Sequence, residues 1–332
     1  MNSSIEAGKN KYMAMKLVTL EDYLEYIKTH RVVHIEDEEI TIGKPNRIER
    51  YQPDKFQLEM STVWSFPDRG DWATHRGDYR GNWPPQIARN LILRYSKPGE
   101  LVLDQMCGGG TTLVECKLLS RDAIGVDINY EAVMLTFDRL NFNYTPLNPE
   151  YREPIIKLYH GDARNLDSIK DESVDLIATH PPYANIIPYS KNRGIEGDLS
   201  QVYSLDEYLE GMREIAHESF RVLKPGRFCA ILIGDTRNHR HYVPLAFRVM
   251  QQFLEAGFIL KEDIIKVQWN TKTTSRKWAA LAKTANECWV QKPKDKHHWT
   301  DFYLIRHEHL FIFRKPSKGE ELDEYKNSLS WW

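Results

Sequence analysis

The 332-residue sequence predicts an α/β protein: a doubly wound, mostly parallel sheet with an antiparallel hairpin at one edge and a small N-terminal appendage. Three observations carry this. From residue 101 onward, short apolar runs alternate with longer segments whose apolar residues recur at helical spacing, the pattern of a parallel sheet with crossover helices. Polar residues follow those runs at once, at Asp104, Asp127, Asp162 and His180, where a sheet of this kind presents its ligand-binding edge. The last two apolar runs have no clear helix between them, which suits an antiparallel pair.

The elements follow in order. Thr19 is placed to cap a helix from Leu20 to His30. Val32 to Ile42 alternates weakly, as a short strand pair would. Residues 63–98 are rich in Trp, Gly, Arg and Pro and read as loop until Pro84-Pro85 opens a helix, Gln86 to Tyr95. LVLD is then a strand ending at Asp104, CGGGTT a turn, and TLVECKLLS a helix. AIGVDI is a second strand, with a helix over Tyr130–Asn141 and a third strand over Ile155–His160. Val174–Thr179 is a strand running into HPPY. A helix over Leu205–Val222 stops before Lys224-Pro225-Gly226, and a strand covers Arg227–Ile233. Val243–Ala256 is a helix with Gly257 as its C-cap. Strands over Ile259–Trp269 and His309–Arg314 flank a long insertion at 270–306. The domains are therefore an appendage at 1–62, the main body at 63–316 and a tail at 317–332.

Composition bounds the function. Apolar residues make up 41% and charged residues 28%, values of ordinary globular material. No run approaches the ~20 apolar residues of a membrane helix, and the start lacks a signal-peptide core, so no membrane partner and a cytoplasmic location are expected. The four cysteines, Cys107, Cys116, Cys229 and Cys288, form no CxxC pair, and the histidines lack HExxH spacing, so no metal is expected. A net charge of −2 places any polyanion contact in local patches.

Chemistry concentrates in two places. The first is Asp104 to Thr112, DQMCGGGTT, with Asp127 ending the next strand. Glycines permit close backbone approach, and the helix that follows offers unpaired N–H groups. A P-loop needs Gly-Lys-Ser/Thr, and the dinucleotide turn needs GxGxxG; this turn is neither and holds no base for a phosphate. An acid before the glycines suits a cationic ligand, such as one with an ammonium or sulfonium group, while Asp127 can take ribose hydroxyls. A ligand-free strand–helix turn stays open at this point. The second place is THPPY, Thr179 to Tyr183, where two prolines without N–H groups fix a rigid strand end.

Together, LDQMCGGGTT, GVDIN and THPPY resemble the DNA amino-methyltransferases, the N6-adenine and N4-cytosine enzymes, over most of the chain from Trp64 to Pro316. The resemblance implies a Rossmann-like methyltransferase fold and S-adenosyl-L-methionine as cofactor. It implies cofactor contacts at Asp104, Met106, Gly108, Gly110, Thr111, Thr112, Asp127, Ile128, Asp162 and Ala163. Asp162 matches the carboxylate that meets the cofactor's adenine amino group, with a helix N-cap as its other reading. The catalytic set it implies is His180, Pro181, Pro182 and Tyr183. An exocyclic amine is a poor nucleophile because its lone pair is delocalised. A side-chain acceptor, here His180, and the Pro181 carbonyl hold its hydrogens, and Tyr183 stacks on the base. His75, Asn82 and Pro84 fall where the family binds the methionine end, and Asn185 and Asp235 are further candidates.

Two residues depart from the family pattern. Where the family has Asp, Asn or Ser, this chain has His180, so activity should fall as the imidazole protonates near its ordinary value of ~6.5. Gln105 replaces a proline. DNA is the expected partner, and the resemblance implies a separately acting restriction endonuclease beside it. The insertion carries Lys272, Arg276, Lys277 and Trp278, a basic and aromatic mixture that suits phosphate contact and base stacking. Arg237 lies near the same rim, beside His239 and Arg240. Two rivals stand beside this reading: an RNA base methyltransferase and an inactive DNA binder.

Overall fold

The computed structural model describes residues 11–35, 38–79, 81–146, 149–183, 194–238, 241–269 and 303–325. Asn185, His239, Arg240, Lys272, Arg276, Lys277, Trp278 and Cys288 lie outside these residues, as does the end of the tail.

In chain order the elements are β1 (Lys16–Val18), α1 (Leu20–Thr29), β2 (Val32–Ile35), β3 (Glu38–Thr41), β4 (Val63–Ser65), α2 (Pro85–Tyr95), β5 (Leu101–Asp104), α3 (Thr111–Leu118), β6 (Asp122–Asp127) and α4 (Tyr130–Leu140). Then come β7 (Ile156–His160), β8 (Val174–Thr179), α5 (Leu205–Val222), β9 (Leu223–Ile233), β10 (Thr236–Asn238), β11 (His241–Val243), α6 (Leu245–Glu255), β12 (Ile259–Val267) and β13 (His307–Arg314).

The main sheet has nine strands in the order β1-β7-β6-β5-β8-β9-β13-β12-β4. Strands β7, β6, β5, β8 and β9 are parallel. The chain winds outward from β5 through β6 to β7, then returns to pair β8 on the other side of β5. That reversal opens a crevice above the carboxyl ends of β5 and β8, where such sheets bind ligands.

Both faces are covered, and the strands show it residue by residue. Val102, Leu176, Ala178, Ala230, Leu232, Leu310 and Ile312 face a core shared with α2, α3 and α4. Their neighbours Leu103, Ile177, Cys229, Ile231, Phe311 and Phe313 face a second core shared with α5 and α6. Period-two alternation with both sets apolar is the signature of a sheet buried on both sides.

Three features go beyond the expected layout. The described part of the segment expected as an appendage at 1–62 packs onto the main body. β1 pairs antiparallel with β7 as an edge of the main sheet, and Tyr23 of α1 is buried with its hydroxyl donating to Asp138 of α4 at 2.7 Å. Three-residue strands carry too little pattern to announce such pairing. Next, β12 and β13 are antiparallel as expected, but β4 adds parallel to β12 and forms the edge itself. Last, Lys224-Pro225-Gly226 does not separate helix from strand. β9 begins at Leu223 and runs through it, with Gly226 at φ +77°.

Thr19 does cap α1, in a box with Asp22. Among the described residues, no helix is long and apolar enough to cross a membrane.

Candidate active site

The glycine turn joins β5 to α3 and is clamped from beneath by α4. Gly108 and Gly110 have φ of +50° and +77°, conformations that glycine adopts without strain. Thr136 Oγ1 donates to the Gly108 carbonyl at 2.9 Å, and Arg139 Nη1 donates to the Gly109 carbonyl at 2.8 Å. A Cβ on Gly110 would lie 2.7 Å from Thr136 Cγ2. Thr112 Oγ1 donates to Asp104 at 2.6 Å, and Thr111 hydrogen-bonds the Asn82 side chain. Gly110, Thr111 and Thr112 thus shape the turn from behind and do not line the pocket. Gln105 is fully buried, its amide donating to Ser219 Oγ at 2.8 Å, a structural use of the side chain that replaces the usual proline.

The turn forms one wall of a pocket at the β5/β8 crevice. Asp104, Met106, Gly108, Asp127, Ile128, Asp162 and Ala163 all line it, as the sequence suggested, and so do His180 and Pro182. Asp104 and Asp127 have no ion-pair partner among the described residues, and burial raises them to about 6 and about 7. Asp127 accepts the Gly108 N–H at 2.8 Å and the Asn129 N–H at 2.9 Å. Asn129 Nδ2 is buried without a partner among the described residues, and Asn129 too lines the pocket. Two acids without a counter-ion and an orphan amide donor fit a ligand with cationic and hydroxyl groups. Asp162 differs: Arg164 already holds both its oxygens, through Nε at 2.9 Å and Nη2 at 2.5 Å.

At the far wall, His180 stacks on Trp83, with ring centroids 6.0 Å apart and planes within 17°. Its Nε2 lies 2.7 Å from the Tyr183 hydroxyl, which donates to Glu308 Oε1 at 2.8 Å. Glu308 Oε2 pairs with Lys266 Nζ at 2.7 Å. Burial alone would raise the Glu308 carboxyl, but Lys266 holds it down to about 2. His180 Nδ1 is buried without a hydrogen-bond partner among the described residues. Burial lowers the imidazole to about 4, so the protonation expected near 6.5 moves well into acid.

The motif's other members take unexpected places. Tyr183, expected to stack on a base, is buried, packed against Gly234, and lies outside the pocket lining. Pro181 is buried, and the Pro182 carbonyl accepts from the Tyr208 hydroxyl at 2.7 Å.

Other candidates have structural uses. His75 sits in a buried cluster on Glu115 at 2.8 Å, with Trp72 and Arg89 on the same carboxylate. Asn82 lines the pocket, whereas Pro84 occupies the N-cap position of α2 with no side-chain capping bond. Arg237 donates to the Tyr303 carbonyl at 2.9 Å and lies over the Tyr242 ring. Asp235 accepts the Ala246 N–H at 2.8 Å at the start of α6 and faces His309 at 3.5 Å. Among the described residues, no three His, Cys, Asp or Glu side chains are grouped to hold a metal ion. Cys107, Cys116 and Cys229 are buried free thiols. Sequence reasoning missed Trp83, Glu308 and Lys266. The only signal was HEH at the start of the last strand, an acid where a buried strand should be apolar.

A doubly wound sheet whose acidic glycine turn opens on its switch-point pocket defines the S-adenosylmethionine-dependent methyltransferase class. The family follows from the sequence: the DNA methylase family model matches residues 9–138 and 174–331, most of the chain, and the protein belongs to that family. The Type II methyltransferase M.BglII of Bacillus subtilis is 29% identical over 175 residues, 52% of this chain and 45% of that protein. The Type II methyltransferase M.HpaI of Haemophilus parainfluenzae is 33% identical over 84 residues, 25% of this chain and 27% of that protein. A tRNA (guanine(10)-N2)-dimethyltransferase of Methanothermobacter thermautotrophicus is 34% identical over 106 residues, 32% of this chain and 29% of that protein. The matched stretch spans less than half the length of each of these relatives. Among solved structures, an S-adenosylmethionine-dependent methyltransferase from Methanosarcina mazei has a TM-score of 0.42 at 15% identity, covering 68% of this chain and 97% of that one.

Proposed function

We propose that the protein moves the methyl group of S-adenosylmethionine to an exocyclic amino nitrogen of a DNA base, N6 of adenine or N4 of cytosine. One observation carries the reading: the glycine turn with Asp104 and Asp127 shares a single pocket with His180 and Pro182. In this reading Asp127 takes the ribose hydroxyls and Asp104 lies toward the cationic end of the cofactor. Met106, Ile128 and Ala163 supply the apolar lining, and Asn129 Nδ2 gains an acceptor. When bound, S-adenosylmethionine supplies an electrophilic methyl group on a sulfonium sulfur.

The chain's own part is to prepare the amine. A base leaving the duplex costs a few kcal/mol, which contacts in the cleft offset. His180 and the Pro181 carbonyl accept the two amino hydrogens, so the nitrogen lone pair turns out of the ring. The amine so held would face the methyl group, and the proton it loses on methylation would pass toward His180 Nδ1 and then water. Orientation of this kind supplies ~7–11 kcal/mol in favourable cases. No covalent enzyme intermediate is required.

Target recognition falls to the insertion, where Lys272, Arg276, Lys277 and Trp278 have the composition for phosphate and base contact. The names of the Type II relatives support a modification role beside a separate restriction endonuclease. The tRNA methyltransferase match supports a second reading, an exocyclic amine in RNA.

Purified protein with radiolabelled S-adenosylmethionine, offered duplex DNA and tRNA in parallel, separates these. Label in DNA that is lost in His180→Ala is the expected result. Label in tRNA alone would establish the second reading. Cofactor binding with label in neither would make the chain an inactive member of its family.

A further inference from the structure

We infer that Glu308 and Tyr183 lock His180 in its Nε2–H tautomer, so that the bare Nδ1 is the acceptor offered to the substrate amine. The role of that nitrogen rests on the function proposed above; the lock itself rests on hydrogen counting.

The Tyr183 hydroxyl has one hydrogen, and among the described residues it lies close to His180 Nε2 at 2.7 Å and to Glu308 Oε1 at 2.8 Å. Glu308 is bound to Lys266 at 2.7 Å, and both side chains are nearly buried, at 8% and 11% exposure. A carboxylate held ionised by a buried ammonium accepts hydrogen bonds and donates none. The Tyr183 hydrogen therefore goes to Glu308, and its oxygen must accept from His180. That places a proton on Nε2. The opposite tautomer would set two acceptors, Nε2 and the carboxylate, against a single hydrogen.

A neutral imidazole with Nε2–H has a lone pair on Nδ1. That atom, on a ring that lines the pocket, makes no hydrogen bond of good geometry among the described residues; a hydrogen bond with the Gly81 backbone also bears on the imidazole and favours its protonated form, against burial. Orphan buried acceptors are rare in folded proteins and point to a donor from outside the chain. The charged groups that bear on the ring are Glu308 and Lys266, which act in opposite directions, and burial keeps it neutral.

The fold builds the lock from distant pieces. Lys266 and Glu308 are direct cross-strand partners in β12 and β13. Gly234, just past β9, leaves the space: a Cβ there would lie 2.9 Å from the Tyr183 ring and 3.4 Å from Glu308 Cγ. Tyr183 and Glu308 are thus positioning residues acting through His180. They let a histidine serve where the family uses an oxygen acceptor.

The test is nitrogen NMR on the full chain labelled with ¹⁵N-histidine, with the His180 signals assigned by their loss in His180→Asn. At neutral pH the expected pattern is a bare Nδ1 and a protonated Nε2. Tyr183→Phe should mix the tautomers and lower kcat roughly tenfold, the value of about one hydrogen bond, with KM for S-adenosylmethionine little changed. Glu308→Gln, which keeps the side chain's size, should shift the mixture toward Nδ1–H because its amide can donate to Tyr183. A protonated Nδ1 in the unaltered protein, or an unchanged His180 pattern in both variants, would overturn the lock. If the tautomer is as expected but no nucleic acid is methylated, the lock stands and the function falls. If DNA is methylated with Nδ1 protonated, the function stands and the lock falls.

Discussion

The backbone N–H of Gly108 donates to the Asp127 carboxylate at 2.8 Å, tying the turn after β5 to the end of β6. The same carboxylate lines the pocket, so it both shapes the turn and faces the ligand. Asp127→Ala should weaken S-adenosylmethionine binding by about ten- to a hundredfold, the usual loss for a hydrogen bond to a charged group. Isothermal calorimetry measures this directly. An unchanged affinity would place the ribose elsewhere.

Binding and catalysis should respond to pH in different ranges. Burial raises Asp104 to about 6 and Asp127 to about 7, so both are largely neutral in mild acid and ionised above neutrality. A cationic cofactor favours the ionised forms, so its affinity should strengthen from about pH 5 to about pH 8, with proton release on binding between. Calorimetry in two buffers of different ionisation enthalpy detects that release. His180, lowered to about 4 by burial, stays neutral through this range. At saturating cofactor, kcat should therefore hold until the pH nears 4. A fall centred near ~6.5, the ordinary histidine value, would mean that His180 is solvated.

Gly110→Ala should damage the turn. The residue sits at φ +77°, and the new Cβ would meet Thr136 Cγ2 at 2.7 Å. The conformation alone costs ~1–2 kcal/mol for a residue with a Cβ. That corresponds to a fall in Tm of roughly 1–3 °C in a protein of this size. Adding Thr136→Ser keeps the hydroxyl that bonds the Gly108 carbonyl and removes the obstructing methyl. Thermal melts should show partial recovery in the double variant.

Much of this was legible in the sequence, for local reasons. Thr19 with Asp22, Pro85 at the start of α2, and the strand-end acids Asp104 and Asp127 announce themselves within a few residues. The pocket's turn and His180 were found because their motifs are contiguous. What escaped was long-range. β1 and β4 are three residues each and gain their place only from partners across the sheet. Glu308 meets Tyr183 across 125 positions, and no spacing rule links a last-strand acid to a loop tyrosine. The resemblance implies a stacking ring at Tyr183, and it gives no sign that a buried acid takes its hydroxyl. Asp162 lines the pocket as a ligand contact would, but its pairing with Arg164 through both oxygens was not legible.

His309 gives the stability a pH signature. Burial would lower its imidazole, but Asp235 and Asp263 outweigh it and raise it to about 9. A raised histidine stabilises the fold fully below the unfolded value of ~6.5, and that contribution is lost as pH rises through about 9. Tm should therefore fall between neutral pH and about pH 9.5, and the fall should be smaller in His309→Asn. Equal slopes in the two proteins would remove His309 as the cause.

The most direct measurement is made in a bacterial host that lacks DNA methylation. The protein is expressed there, and the host genome is read by single-molecule sequencing sensitive to modified bases. The expected result is N6-methyladenine or N4-methylcytosine at a defined sequence, absent when His180→Ala is expressed instead. An unmodified genome, from cells whose purified protein binds S-adenosylmethionine, would contradict methylation of DNA by this chain.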